Sequence, residues 1–178
     1  MNQAYGSDLT INSSLFGDAD SIRLLLVKCG PYRLGIPAAL VRAVVGARDV
    51  VPLGLPELPG LLWQDRALIP ALGLAPLIGL VNADCEMAGH GVLVQSPSGT
   101  LCFMVDEALD LVEIPLESIL PLPSLVVKAI AVSGLESAAL INGLLLIVDP
   151  IMLLGREKAI DLIAAAAKME ELGGTPQY

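Results

Sequence analysis

Basic residues are scarce in this chain: ten Lys and Arg stand against nineteen Asp and Glu, a formal net charge of −9 at pH 7. Phosphate backbones and anionic membrane surfaces are bound through clustered cations, so neither is an expected partner and proteins are. Histidine occurs once, at His90, with no Cys or carboxylate at ligand spacing, which leaves no metal site and no base for most acyl-transfer schemes. Long apolar runs are also missing. Mean hydropathy is high at +0.72, but the runs break at Pro70, Pro76, Asn82, Asn142, Asp149 and Pro150, short of the ~20 residues a membrane span needs. The chain therefore reads as soluble. Cys29, Cys85 and Cys102 are odd in number and far apart, which fits reduced, buried thiols and no disulfide framework. Residues 1–20 show no basic stretch followed by an apolar one, so no signal peptide is expected and the cytoplasm is the expected compartment. The pair Gly30 and Gly35 is not followed by Lys-Ser or Lys-Thr, and neither a Gly-x-Ser-x-Gly nor a His-Glu-x-x-His motif occurs. No nucleotide, no cofactor and no catalytic residue is expected.

What the chain does have is a repeat. With 54% hydrophobic and 16% charged residues it can bury a real core. The first unit comprises residues 24–29, a Gly30-Pro31 turn, residues 32–36, and the segment 41–45 (VRAVV). Its second copy comprises residues 92–95, the turn Ser96-Pro97-Ser98-Gly99, residues 100–106, and 109–114. Each is followed by a second shared phrase, residues 60–79 (GLLWQDRALIPALGLAPLIG) and 138–155 (AALINGLLLIVDPIMLLG). The order A-B-A-B predicts two homologous β subdomains.

The apolar runs flanking Gly-Pro and Ser-Pro-Ser-Gly predict hairpins, as do those flanking Gln64-Asp65 and Asn142-Gly143. Strand following strand at short intervals favours an antiparallel barrel or sandwich. A short helix is predicted over residues 38–44 after Pro37, and another at Asp149-Pro150, an N-cap residue followed by proline. One long helix, residues 156–172, ends at Gly173-Gly174 and is expected to dock through Ile160, Ile163, Ala164 and Ala167. Residues 1–20 and 174–178 read as polar, loose tails.

Together these phrases resemble the CheW-like domain. The resemblance rests on Tyr32-Arg33-Leu34-Gly35-Ile36, Val41 and Val44 with Gly46 after them, Leu58-Pro59-Gly60-Leu61-Leu62, and Leu68-Ile69-Pro70. In the second half it rests on Phe103-Met104-Val105-Asp106 and Leu111-Val112-Glu113-Ile114-Pro115, and it covers residues 23–154 in order. It implies a mainly β fold of two intertwined five-stranded SH3-like barrels with short helices and a C-terminal helix. The barrels would occupy residues 21–155, as subdomains of about 21–80 and 90–155 with exchanged strands, ahead of a helix and tail at 156–178. It also implies a non-catalytic scaffold that couples the cytoplasmic tip of a chemoreceptor to the regulatory domain of a chemotaxis histidine kinase. Val41, Arg42 and Val44 of the first short helix would serve an apolar groove between the barrels, and Trp63, Asp65 and Arg66 a rim turn. Two positions depart from the family pattern. Its asparagine-leucine-arginine-glycine turn reads Trp63-Gln64-Asp65-Arg66 here, and the glutamate of its first helix is Ala43. The charge reversal at Asp65 opens an alternative, a divergent scaffold in another sensory or motility pathway.

Three features carry a second reading. Asp106 and Asp149 look equivalent in the two halves, and capping a following helix explains both more simply than paired acid and base. Trp63 is either a core filler or an interface anchor. The proline-punctuated segment 51–59 is either a partner surface or a lid on the core.

Overall fold

A computed structural model of the protein describes residues 20–54, 60–79, 89–123, 135 and 137–171. Twelve strands occur among these residues: β1 (Ser21–Cys29), β2 (Tyr32–Pro37), β3 (Val41–Gly46), β4 (Val50–Pro52), β5 (Gly60–Gln64), β6 (Ala67–Gly73), β7 (His90–Ser96), β8 (Gly99–Val105), β9 (Glu107–Pro115), β10 (Ile119–Pro121), β11 (Ser137–Leu140) and β12 (Leu144–Ile147). They form two six-stranded sheets, ordered β10-β11-β12-β2-β1-β9 and β4-β5-β6-β8-β7-β3. Written in this direction the sheets match position for position, with β1–β2 standing in one where β7–β8 stands in the other. All pairings are antiparallel except β12 with β2 and β6 with β8. The hairpin of each half is therefore built into the sheet of the other half. This bears out the A-B-A-B repeat and the intertwined β architecture. The short strands β4 and β10 bring each sheet to six strands where the resemblance implied five.

Three apolar clusters show how the sheets are rolled. Ile22, Leu24 and Leu26 of β1 share one cluster with Ile114 of β9 and with Ile119 and Ala139 of β10 and β11. Val45 of β3 shares another with Val50 and Leu62 of β4 and β5. In both cases strands from opposite ends of one sheet meet, so each sheet curls around its own core. The third cluster lies between the barrels. Leu25, Val27, Leu34 and Ile36 meet Val92, Val94, Leu101 and Phe103 there, together with Ala159, Leu162 and Ala166 from the C-terminal helix. The central strands are thus buried on both faces, which is why residues 24–27 are continuously apolar instead of alternating.

Close packing inside each barrel depends on one small residue per hairpin. A Cβ on Gly35 would lie 2.9 Å from Leu24 Cδ1. At the equivalent place in the second barrel the sizes are exchanged: Cys102 replaces the glycine, and Gly91 replaces the leucine. A Cβ on Gly91 would lie 2.6 Å from Cys102 Sγ. Either barrel accommodates one large side chain at this point, and an extra methyl group would overpack it.

Helices close the structure. Helix α1 (Leu74–Leu77) follows β6, and α2 (Pro150–Leu154) occupies the equivalent place after β12. Asp149 caps α2 as expected, accepting from the N–H groups of Ile151 at 2.9 Å and Met152 at 3.2 Å. Helix α3 (Arg156–Glu171) packs across β6 and β8. Its buried residues are Ala159, Leu162 and Ala166, with Ile163 and Met169 half-buried. Ile160, Ala164 and Ala167 face outward, a correction to the stripe expected from sequence. The run Ala164 to Ala167 has no periodicity to read, so packing on β6 decides the face.

Three other expectations are corrected. Residues 38–44 are not a helix: Ala38–Leu40 is a single 3-10 turn and Val41–Gly46 is β3, paired with β7. The β-branched Val41, Val44 and Val45 satisfy their backbone better in that ladder than in an isolated short helix. Asp106 caps no helix. It precedes β9, and its carboxylate accepts the N–H of Gly30 in the β1–β2 turn, while its own N–H donates to Lys28 O at 3.0 Å. Nor are Asp106 and Asp149 equivalent, because superposing the registers of the two sheets makes Asp149 the counterpart of Gly73 and Asp106 the counterpart of Ala39. Segment 55–59 of the proline-rich stretch, Cys85, the loose tails at 1–19 and 174–178, and the helix stop at Gly173-Gly174 lie outside the described residues.

Cys29 and Cys102 are both buried. Burial pushes the Cys102 thiol from 9.0 up to about 12. The folded protein therefore keeps a proton that the unfolded chain releases, so stability falls as pH rises between these two values. Urea unfolding between pH 8 and pH 10.5 should show a shallower alkaline loss in Cys102→Ala than in the native chain, by up to about 1.4 kcal/mol per pH unit. Parallel curves would mean that the thiol titrates alike in both states.

Candidate protein-binding site

The crossing from one sheet to the other fixes the candidate surface. After β2 the chain turns through Ala38–Leu40, which contacts both β1 and β7, and enters β3 at the edge of the second sheet. Val41 pairs with Val94 and Val44 with Val92, so both lie on the face turned toward the core between the barrels. A register shift between Val41 and Ala43 keeps them on this common face although they are three residues apart. Val41 is half-buried against the central cluster. Val44 is 42% exposed, a large apolar side chain held in solvent by a paired strand.

The other half contains a counterpart that sequence reasoning missed. Strand β9 pairs with β1 through the same shift, between Leu25 and Val27, and Leu111 opposite Leu25 occupies the place of Val44 opposite Val92. Leu111 is 55% exposed. Aligning the second copy of unit A on the first would have shown the correspondence. Both barrels thus present an exposed apolar residue on an edge strand, on the face turned toward the interbarrel core.

The rim turn is close to this strand. Gln64 and Ala67 close the β5–β6 hairpin around Asp65 and Arg66, which have φ of 53° and 66°. Two successive left-handed residues make a type I′ turn, the form that matches strand twist. The turn is therefore centred one residue later than Gln64-Asp65. Aspartate tolerates this backbone, whereas arginine does so at a cost. The Asp65 carboxylate lies 3.6 Å from the guanidinium of Arg42, with the side chains 71% and 56% exposed. Arg42, Asp65 and Arg66 thus form one charged rim at the edge where Val44 is exposed. Screening keeps such a pair to about 0–1 kcal/mol of stability, so its charge pattern matters more for recognition than for folding.

Trp63 is half-buried and packs against the central cluster, on the face of β5 that it shares with Leu61. It fills core with part of its surface and leaves the rest accessible. Gln64 Oε1 beside it is buried with no hydrogen-bond partner. His90 begins β7, and its Nδ1 accepts the N–H of Ala108 at 3.4 Å. No helix among the described residues is long and apolar enough to cross a membrane. Replacing Arg66 by glycine should raise stability by about 1 kcal/mol in urea unfolding, because glycine adopts this backbone without the steric cost that arginine bears. An unchanged midpoint would show that the turn is not strained.

The family model for the CheW-like domain matches residues 23–158. Among solved structures, the chain is similar to the crystal structure of the scaffolding protein TtCheW from Thermoanaerobacter tengcongensis. The TM-score is 0.62 at 20% identity, over 72% of this chain and 88% of that one. Among curated proteins no sequence matches.

Proposed function

Because this chain belongs to the CheW-like domain family, we propose that it is a non-catalytic adaptor of chemotaxis-type signalling in the cytoplasm. In this reading the junction between the barrels takes the cytoplasmic tip of a chemoreceptor, and the charged rim meets the regulatory domain of a histidine kinase. The observation that carries the first contact is Val44, an apolar side chain 42% exposed on a paired strand beside the interbarrel core. An exposed valine there gains free energy only by being covered, at about 25 cal/mol per Å² of apolar surface buried.

The rim supports the divergent reading within the same family. The family pattern has glutamate at the position of Ala43 and arginine at that of Asp65. Here Ala43 is uncharged and Asp65 lies beside Arg42, so the charge at position 65 is reversed, and a kinase shaped for arginine there meets like charge. The adaptor would then serve a kinase domain of complementary charge.

Two measurements separate these contacts. Val44→Glu should abolish binding of a receptor-tip fragment while leaving the unfolding midpoint nearly unchanged, because a carboxylate placed under a partner loses its water. Val41→Glu is a poorer probe, since Val41 packs on the core and the substitution destabilises the fold. If Val44→Glu binds as the native chain does, the receptor tip lies elsewhere. At the rim, Asp65→Arg alone would place a second cation beside Arg42, so the informative variant is the double exchange Arg42→Glu with Asp65→Arg. It should raise affinity for a kinase domain of the usual polarity at least about tenfold at low salt and lose that gain at high salt. Equal affinity at both salt concentrations would remove the rim from kinase recognition.

A further inference from the structure

Four of the seven exposed large apolar side chains among the described residues lie on one face of the first sheet: Tyr32, Leu120, Leu140 and Leu144. Leu140 pairs with Leu144, Leu120 with Ala138, Ala138 with Leu146, and Leu146 with Leu34, two residues beyond Tyr32, so all four point the same way. Leu140 is 73% and Leu144 60% exposed. The equivalent positions in the second sheet are Trp63 and Leu68, and there the face is covered. Helix α3 packs on it, Leu68 is buried, and the Leu68 N–H donates to Glu170 Oε2 at 3.5 Å. One barrel has its apolar outer face closed by the C-terminal helix. In the other barrel Leu34 and Ala138 on the same face are buried, but its margin at Tyr32, Leu120, Leu140 and Leu144 is exposed, and Tyr32 stands where Gly99 makes room for Ile163 of that helix.

The N-terminal segment is a covering element within reach of it. Asp20 O accepts the N–H of Leu116 at 3.1 Å, in the 3-10 turn Leu116–Ser118 that leads directly into β10 and Leu120. Residues 1–19 therefore begin at the margin of the patch. At ~3.3 Å per residue they reach about 60 Å. They carry Leu9, Ile11, Leu15 and Phe16, with Asp8 and Asp18 as their only charged side chains. A second copy is the competing occupant, but it brings a like net charge of −9 and binds at its bulk concentration. A tethered segment acts at an effective concentration in the millimolar range. We propose that the apolar cluster Leu9, Ile11, Leu15 and Phe16 docks on the face formed by Tyr32, Leu120, Leu140 and Leu144, as α3 docks on the other barrel.

The full chain is compared with Ile11→Ser/Phe16→Ser and with a form lacking residues 2–18, by hydrophobic-dye fluorescence and by mass from light scattering. The native chain should be monomeric and bind little dye. Both altered forms should bind several-fold more, and adding Leu140→Ser and Leu144→Ser should return them to the native level. Dye binding unchanged by both N-terminal alterations overturns the proposal. So does a native dimer that splits on Leu140→Ser with Leu144→Ser but survives loss of residues 2–18, which would assign the face to a second copy.

Discussion

The structure depends on two parallel strand joints. At β12 with β2, and again at β6 with β8, the last strand of one half is hydrogen-bonded to the hairpin of the other. Neither half owns a complete sheet. The first supplies β1 and β2 to a barrel otherwise made from β9 to β12, and the second supplies β7 and β8 to a barrel otherwise made from β3 to β6. The exchanged hairpins then face each other, and Leu25, Val27, Leu34 and Ile36 bury against Val92, Val94, Leu101 and Phe103. A core of this kind belongs to the pair of halves, and so does the surface at its edge.

That edge is where the candidate site lies. A chain that crosses between sheets must leave one and enter the other beside the shared core, and the crossing Ala38–Leu40 sets β3 there. Val41 is consequently tied to the core, while Val44, one turn of the pleat further out, faces solvent. The β5–β6 turn reaches the same edge because the second sheet is rolled, which brings Asp65 to Arg42 across 23 residues of sequence. Apolar junction and charged rim are thus neighbours as a consequence of barrel closure.

Much of this was legible in the sequence, and what was not has physical reasons. The repeat, the hairpin turns, the Asp149 cap and the long C-terminal helix follow from local pattern, and each is present. Strand partners do not follow from local pattern. Hydrophobic runs say that a face is buried, not against which strand, and residues buried on both faces, such as those at 24–27, lose even the alternation. Pro37-Ala38-Ala39-Leu40 looks like a helix start, but the long-range ladder with β7 overrides that local preference after one turn. Asp106 looks like a cap because it follows a strand, and its true acceptor role to Gly30 exists only once β1 is inserted beside β9. At the site, Val41, Arg42, Val44, Trp63, Asp65 and Arg66 could be singled out by resemblance. The pairing of Arg42 with Asp65 and the exposure of Leu111 needed three dimensions.

Interlocking makes a strong demand on folding: the halves must be interdependent. The direct measurement is to produce residues 1–84 and 85–178 as separate polypeptides, dividing the chain between β6 and β7, and to follow each alone and mixed by urea unfolding and amide spectra. Mutual strand exchange predicts that neither piece unfolds cooperatively by itself and that equimolar mixing restores a single cooperative transition and the dispersed spectrum of the intact protein. A cooperative transition from either piece alone would contradict it, since that half would then hold a complete barrel of its own.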